Sequence, residues 1–196
     1  MLKQLSNIAE GVATKLIAVI NGNLSNRDKA NILGEIIQHK GFVTKLKDNE
    51  TKTATKIFGS IKMINMEYND NMNAARTLNK LGYNVFMLPK LPNSKSPDFI
   101  LQKDKMLYIY ELKTVYGENS LENRLNTGSL QSDRIILNIV GGASSRYVAN
   151  TVKRFYLRNR HIKEIKVLLS GKPIEVYRNQ IERNDFTKNF MDRWAR

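Results

Sequence analysis

Glu111, Leu112 and Lys113 close an apolar run, Leu107-Tyr108-Ile109-Tyr110, thirteen positions after Asp98. In extended backbone, residues two apart project from the same face. Glu111 and Lys113 therefore present a carboxylate and an ammonium side by side, while Leu112 turns the other way. Asp98 follows Ser96-Pro97, and the polar turn Lys103-Asp104-Lys105 predicts a hairpin that brings Asp98 and Glu111 to one end of a sheet. Two carboxylates with room for water and phosphate oxygens suit Mg²⁺ (or Mn²⁺), as one or two ions. Such an ion polarises a scissile phosphate and eases deprotonation of bound water. A lysine beside it orients the attacking water or offsets charge building on the phosphate. A Glu-x-Lys pair in a strand is by itself an ordinary surface feature. The specific signal is its combination with Ser-Pro-Asp and the apolar run between them.

The charge balance fits a polyanionic substrate. Thirty-two Lys and Arg face eighteen Asp and Glu over 196 residues, a net +14. A chain this basic gains affinity for nucleic acid by releasing counterions from each phosphate it neutralises; a merely solvated, lysine-rich surface is the bland alternative. With no cysteine there is neither a disulfide framework nor a thiolate zinc site, and two histidines are too few for an imidazole cage, so a metal here binds oxygen. The longest apolar patch, Leu16–Ile20, is too short for a membrane span, and the first residues lack a secretory cleavage site.

Two parts separate by pattern. Residues 1–57 form a small helical N-terminal segment, an entry, partner-binding or linker region. Leu5, Ile8, Val12, Leu16 and Val19 fall near helical spacing, Ser25 or Asn26 caps a second helix with Ile32, Leu33 and Ile36 on one side, and the polar stretch 44–56 is expected as a linker. Residues 58–196 are expected to form the main domain: a helix ending at Gly82, strands over 83–88, 98–101 and 107–115, a short helix near 119–133, a buried strand over 134–140, a helix from Ser144 or Ser145 to about Arg160, and strands over 165–169 and 174–177. Residues 180–196 read as a charged helix or tail. The order gives an α/β class with a mixed central sheet.

With these elements in place, the motifs resemble the PD-(D/E)xK nuclease superfamily over residues 61–140, and the element order resembles its restriction-endonuclease-like αβββαβ core. Within it the chain looks like the transfer-RNA-cleaving C-terminal toxin domains of contact-dependent growth inhibition proteins. The matching positions are Glu67, Gly82-Tyr83-Asn84-Val85, Leu88-Pro89, Ser96-Pro97-Asp98-Phe99, Glu111-Leu112-Lys113 and Gln131 before Ile135-Ile136-Leu137. The resemblance implies metal ligation by Asp98, Glu111 and Glu67, catalysis by Lys113 with Gln131 nearby, and cleavage of transfer RNA. It further implies a cognate immunity protein, and action in the bacterial cytoplasm after delivery as the C-terminal part of a larger secreted toxin.

Around this centre, Lys90 and Lys95 flank the proline turn beside Asp98, Thr114 follows Lys113, and Arg146, Lys153 and Arg154 recur along the late helix. All six are candidates for phosphate contacts, which position a nucleic acid without reading its sequence. His161 at that helix's end is expected to face the C-terminal dipole. Two other readings stay open: a DNA endonuclease of restriction or mobile-element type, and a non-catalytic nucleic-acid-binding module on the same scaffold.

Overall fold

Local rules place most of the elements. The computed structural model describes Lys15 and residues 18–20, 24–38, 44–45, 57–59, 66–88, 97–104, 106–169 and 172–195. The chain divides into two compact units, Met1–Ile109 and Tyr110–Arg196.

In the first unit, Ser25 caps helix α1 (Asn26–Gln38), its hydroxyl accepting from the Asp28 N–H at 3.1 Å and donating to the Asp28 carboxylate at 2.6 Å. An ion pair between Lys15 and Glu35, 2.7 Å, ties the preceding helical residue to α1. Strand β1 (Thr44–Lys45) pairs antiparallel with β2 (Ile57–Gly59). The expected linker thus begins with a strand, whose two residues are too few to show a period. Helix α2 (Met66–Lys80) buries Met72, Ala74, Ala75 and Leu78 and packs on β2 and β3 (Asn84–Met87). It ends where Gly82 adopts φ +89°, a conformation glycine takes without strain, and the Gly82 and Tyr83 N–H groups bond back to the carbonyls of Asn79 and Leu78. Strand β3 runs parallel to β2 and antiparallel to β4 (Phe99–Lys103), and Val85, Phe99, Ile100 and Leu101 are fully buried. After β4 the chain turns at Asp104, φ 50°, into β5 (Met106–Val115).

The second unit takes up β5 at Tyr110. Helix α3 (Glu118–Ser129) leads to β6 (Arg134–Ile139), helix α4 (Ser145–Arg158) to β7 (Glu164–Leu169), and β8 (Lys172–Tyr177) returns antiparallel. Strands β5, β6 and β7 are parallel, with Glu111 opposite Ile135 and Ile135 opposite Ile165. One face of this sheet, with Val115, Ile135, Leu137, Ile165, Val167 and Val176, forms a core with Leu121 and Leu125 of α3 and Val148, Val152, Phe155 and Tyr156 of α4. The C-terminal stretch is not a tail. It forms α5 (Arg178–Ile181) and α6 (Phe186–Trp194), and α6 buries Phe186 and Phe190 in the same core. Those two phenylalanines lie four apart among charged residues, a narrow apolar stripe that the surrounding charge hides in the sequence. The fold is mixed α/β in both units, and no described helix is long and apolar enough to cross a membrane.

Candidate functional site

Strand parity builds the site. Glu111 and Lys113 lie opposite Ile135 and Leu137 of β6, so they share the helix-covered face, at the margin of the core. Lys113 Nζ donates to Glu111 Oε1 at 2.5 Å. The Glu111 side chain is 2% exposed and that of Lys113 18%. A cation in contact with so buried a carboxylate offsets part of the cost of its burial. From above, α3 presents Gly128, where an added Cβ would stand 3.3 Å from Lys113 Cγ. The missing side chain leaves the lysine stem its channel between helix and strand. The Gln131 N–H bonds to the Gly128 carbonyl at 3.0 Å, so Gln131, half-buried, belongs to the turn directly beyond that contact.

The other expected residues divide. Thr114, one step from Lys113, lies on the opposite face with Leu112 and Tyr110, opposite Asn138. The structure does not bring it together with Glu111 and Lys113. Asp98 belongs to the first unit, is 7% exposed, and its carbonyl accepts from the Leu88 N–H at 2.8 Å just before β4. Glu67 stands in the first turn of α2. Lys90 and Lys95 lie outside the described residues, as does Ser96.

A feature the sequence reading missed repeats the motif. Among the described residues, Glu164-Ile165-Lys166 is a second Glu-x-Lys, on β7, with Lys166 Nζ donating to Glu164 Oε1 at 2.5 Å. Ile165 shares the core face, so Glu164 and Lys166 point to the opposite one. There Lys166, 2% exposed, also donates to Glu175 Oε1 at 2.6 Å. The Tyr110 hydroxyl donates to Glu164 Oε2 at 2.7 Å and the Tyr177 hydroxyl to Glu175 Oε2 at 3.0 Å. Two carboxylates therefore share one lysine and receive two phenols, a network that links β5, β7 and β8. Burial, and then the charge of Glu164, push the Tyr156 hydroxyl above its ordinary range, and it donates to the Val176 carbonyl at 2.6 Å. Burial and the charges of Glu164 and Glu175 do the same for Tyr177. The shared spacing of the two motifs was the available signal.

On α4, Arg146 is exposed in the first turn and Lys153 is half-exposed, whereas Arg154 and Arg158 converge on Glu122 of α3, Arg158 at 2.7 Å and Arg154 at 4.0 Å. Arg154 thus meets an acid from its own unit. The carbonyls at the end of α4 are served by Arg178, which donates to Tyr156 at 3.3 Å and Asn159 at 2.8 Å, and also to Ile162 beyond the helix at 3.2 Å. His161, expected in that role, stands 3.4 Å from the Ser129 carbonyl. The guanidinium reaches from a neighbouring helix with several donors, which one imidazole cannot match.

No family model matches the chain, and no curated protein matches it. Among solved structures it is similar to a CdiA-CT/CdiI toxin and immunity complex from Burkholderia pseudomallei. The likeness has 16% identity and a TM-score of 0.44, covering 60% of this chain and 91% of that one.

Proposed function

We propose that the chain is a metal-dependent endonuclease that hydrolyses phosphodiester bonds, a toxin nuclease acting on transfer RNA. The observation that carries the proposal is the Glu111–Lys113 pair, a buried carboxylate and a part-exposed ammonium in contact on one face of a strand. The motif supplies Asp98 as a second carboxylate and Glu67 as a third. The donors are all oxygen, which suits Mg²⁺ or Mn²⁺. Among the described residues no group of three or more His, Asp or Glu is arranged to hold a metal. Magnesium fits such a sparse set, because it takes one or two carboxylates and keeps several waters. When bound, the ion supplies charge to polarise the phosphate and acidify a coordinated water.

The remaining roles fall to the chain. Glu111 offers its carboxylate, Lys113 holds its ammonium against a phosphate oxygen or the attacking water, and Gln131 lies next to the helix turn that flanks Lys113. Lys90, Lys95, Arg146, Lys153 and Arg154 hold the substrate's backbone, with Arg154 shared with Glu122 in the free protein. An immunity protein is the expected partner, and the bacterial cytoplasm, reached as the C-terminal part of a larger secreted toxin, is the expected place of action.

Purified protein incubated with total RNA and plasmid DNA in Mg²⁺ tests the reading. RNA cleavage that EDTA stops is expected, with Asp98→Ala and Lys113→Ala each lowering the rate at least about 100-fold. Cleavage that survives both substitutions removes this site, and cleavage of the plasmid alone moves the substrate to DNA.

A further inference from the structure

Beside β8, at the other end of the second unit's sheet from β5, lies a cavity of about 150 Å³ lined by Gln180, Arg183, Phe186, Asn189, Phe190 and Arg193. One water needs roughly 10–15 Å³ by the same measure, so the space admits a polyatomic ligand. Its floor is apolar: Phe186 and Phe190 are buried, with ring centroids 6.0 Å apart. Its rim consists of two guanidinium groups and two primary amides.

These groups present donors. Gln180 Oε1 accepts from the Tyr177 N–H at 2.9 Å, which leaves its amide nitrogen to donate. Arg183 uses Nε and Nη2 on the Asp185 carboxylate, both at 3.2 Å, and Arg193 uses Nη1 on the Glu175 carbonyl at 3.0 Å. A guanidinium has five N–H donors in a planar fork, so both arginines keep donors beyond these bonds. The Asn189 amide and the Arg183 guanidinium together hold the Asp185 carboxyl below its ordinary range. The rim thus already retains one carboxylate, from a residue outside the lining.

We propose that this cavity is a phosphate subsite, in which Arg183, Arg193 and Gln180 hold the oxygens of a phosphate group over the Phe186–Phe190 floor. The arginine fork matches phosphate geometry with two parallel hydrogen bonds. Strands β5 and β8 are three strand spacings apart, about 14 Å. The subsite is therefore separate from the Glu111–Lys113 centre and goes beyond the nuclease reading. The phosphate belongs either to a nucleic-acid backbone or to a free anion, and the same chemistry serves both.

The only tryptophan of the chain, Trp194, reports on the site, since its ring centroid is 5.8 Å from that of Phe190. In EDTA, where no hydrolysis is required, its fluorescence is followed while inorganic phosphate or a short single-stranded oligonucleotide is added against chloride of equal ionic strength. A saturable change with phosphate is expected, weakened about tenfold or more, some 1.4 kcal/mol, in Arg183→Gln and in Arg193→Gln. Asp185→Asn removes the competing carboxylate and is expected to tighten binding. Oligonucleotide binding that phosphate displaces assigns the site to a nucleic-acid backbone, and a response to phosphate alone assigns it to a free anion. No saturable response to either ligand, or unchanged affinity in both arginine variants, overturns the proposal. If the arginine variants do not fold, Asp185→Asn decides: tighter binding supports the subsite, and equal or weaker binding overturns it. Because cleavage plays no part, a failure here leaves the Glu111 reading standing, and the reverse also holds.

Discussion

Lys113 contacts a carboxylate that is almost wholly enclosed, so removing its charge acts on stability whatever it does to cleavage. Lys113→Met is expected to cost about 3 kcal/mol in urea unfolding, the usual scale for breaking a buried ion pair, and Glu111→Gln in the same chain to recover part of it. A Lys113→Met midpoint equal to that of the native protein contradicts the contact. Tyr156 gives a second residue-scale test through pH. Its folded pKa lies above the ordinary 10.0, so the unfolded chain loses that proton first as pH rises. Its contribution is whole below pH 10 and declines above it. Tyr156→Phe, after a constant loss of about 1 kcal/mol for the bond to Val176, is expected to flatten the alkaline decline. Melting curves between pH 7 and 11.5 show whether it does. Period-two alternation made the shared face of Glu111 and Lys113 legible, and the same rule placed Thr114 on the other face. Glu164 escaped because it precedes the apolar run Ile165–Leu169, and a strand begun at the first apolar residue leaves its charged partner outside.

At the scale of elements, two junctions hold the second unit's parallel strands in place. Gly141, just beyond β6, approaches the end of β5 so closely that an added Cβ would stand 1.8 Å from the Tyr116 carbonyl oxygen. The Val140 and Gly141 N–H groups both bond to the Val115 carbonyl there. Gly141→Ala must move backbone, and a loss of about 2–3 kcal/mol is expected from thermal unfolding. Arg178 closes α4 from α5, and Arg178→Ala is expected to cost about 2 kcal/mol, a fall of roughly 8–16 °C in Tm for a unit of this size. A shift under about 2 °C would leave the α4 end capped by something else. Strands and helices with sustained periods were legible within a residue or two, as β6 and α4 are. Thr44–Lys45 was not, because its pairing with Phe58–Gly59 is a tertiary choice that two residues do not encode.

The whole molecule carries +14, and that charge sets how binding responds to salt. The affinity for a single-stranded RNA, measured without metal, is expected to fall linearly in log–log form with added salt, with the slope reduced by about 0.7 for each phosphate contact removed by Arg146→Ala or Lys153→Ala. An unchanged slope in both variants would take α4 out of the substrate path. The bulk composition made the excess of positive charge legible, whereas the cavity between α5 and α6 was not. Its lining comes from residues 180–193, whose spacing gains meaning only once Phe186 and Phe190 turn inward. The Glu-x-Lys pairs on β5 and β7 also give every sample an internal standard. Lys113 keeps 18% of its side chain exposed and Lys166 2%, so an amine-acylating reagent reaches the first in the folded chain and the second only on unfolding. Lys166 labelling therefore reports any unfolded fraction, against which a change in Lys113 labelling measures occupancy of the Glu111 face.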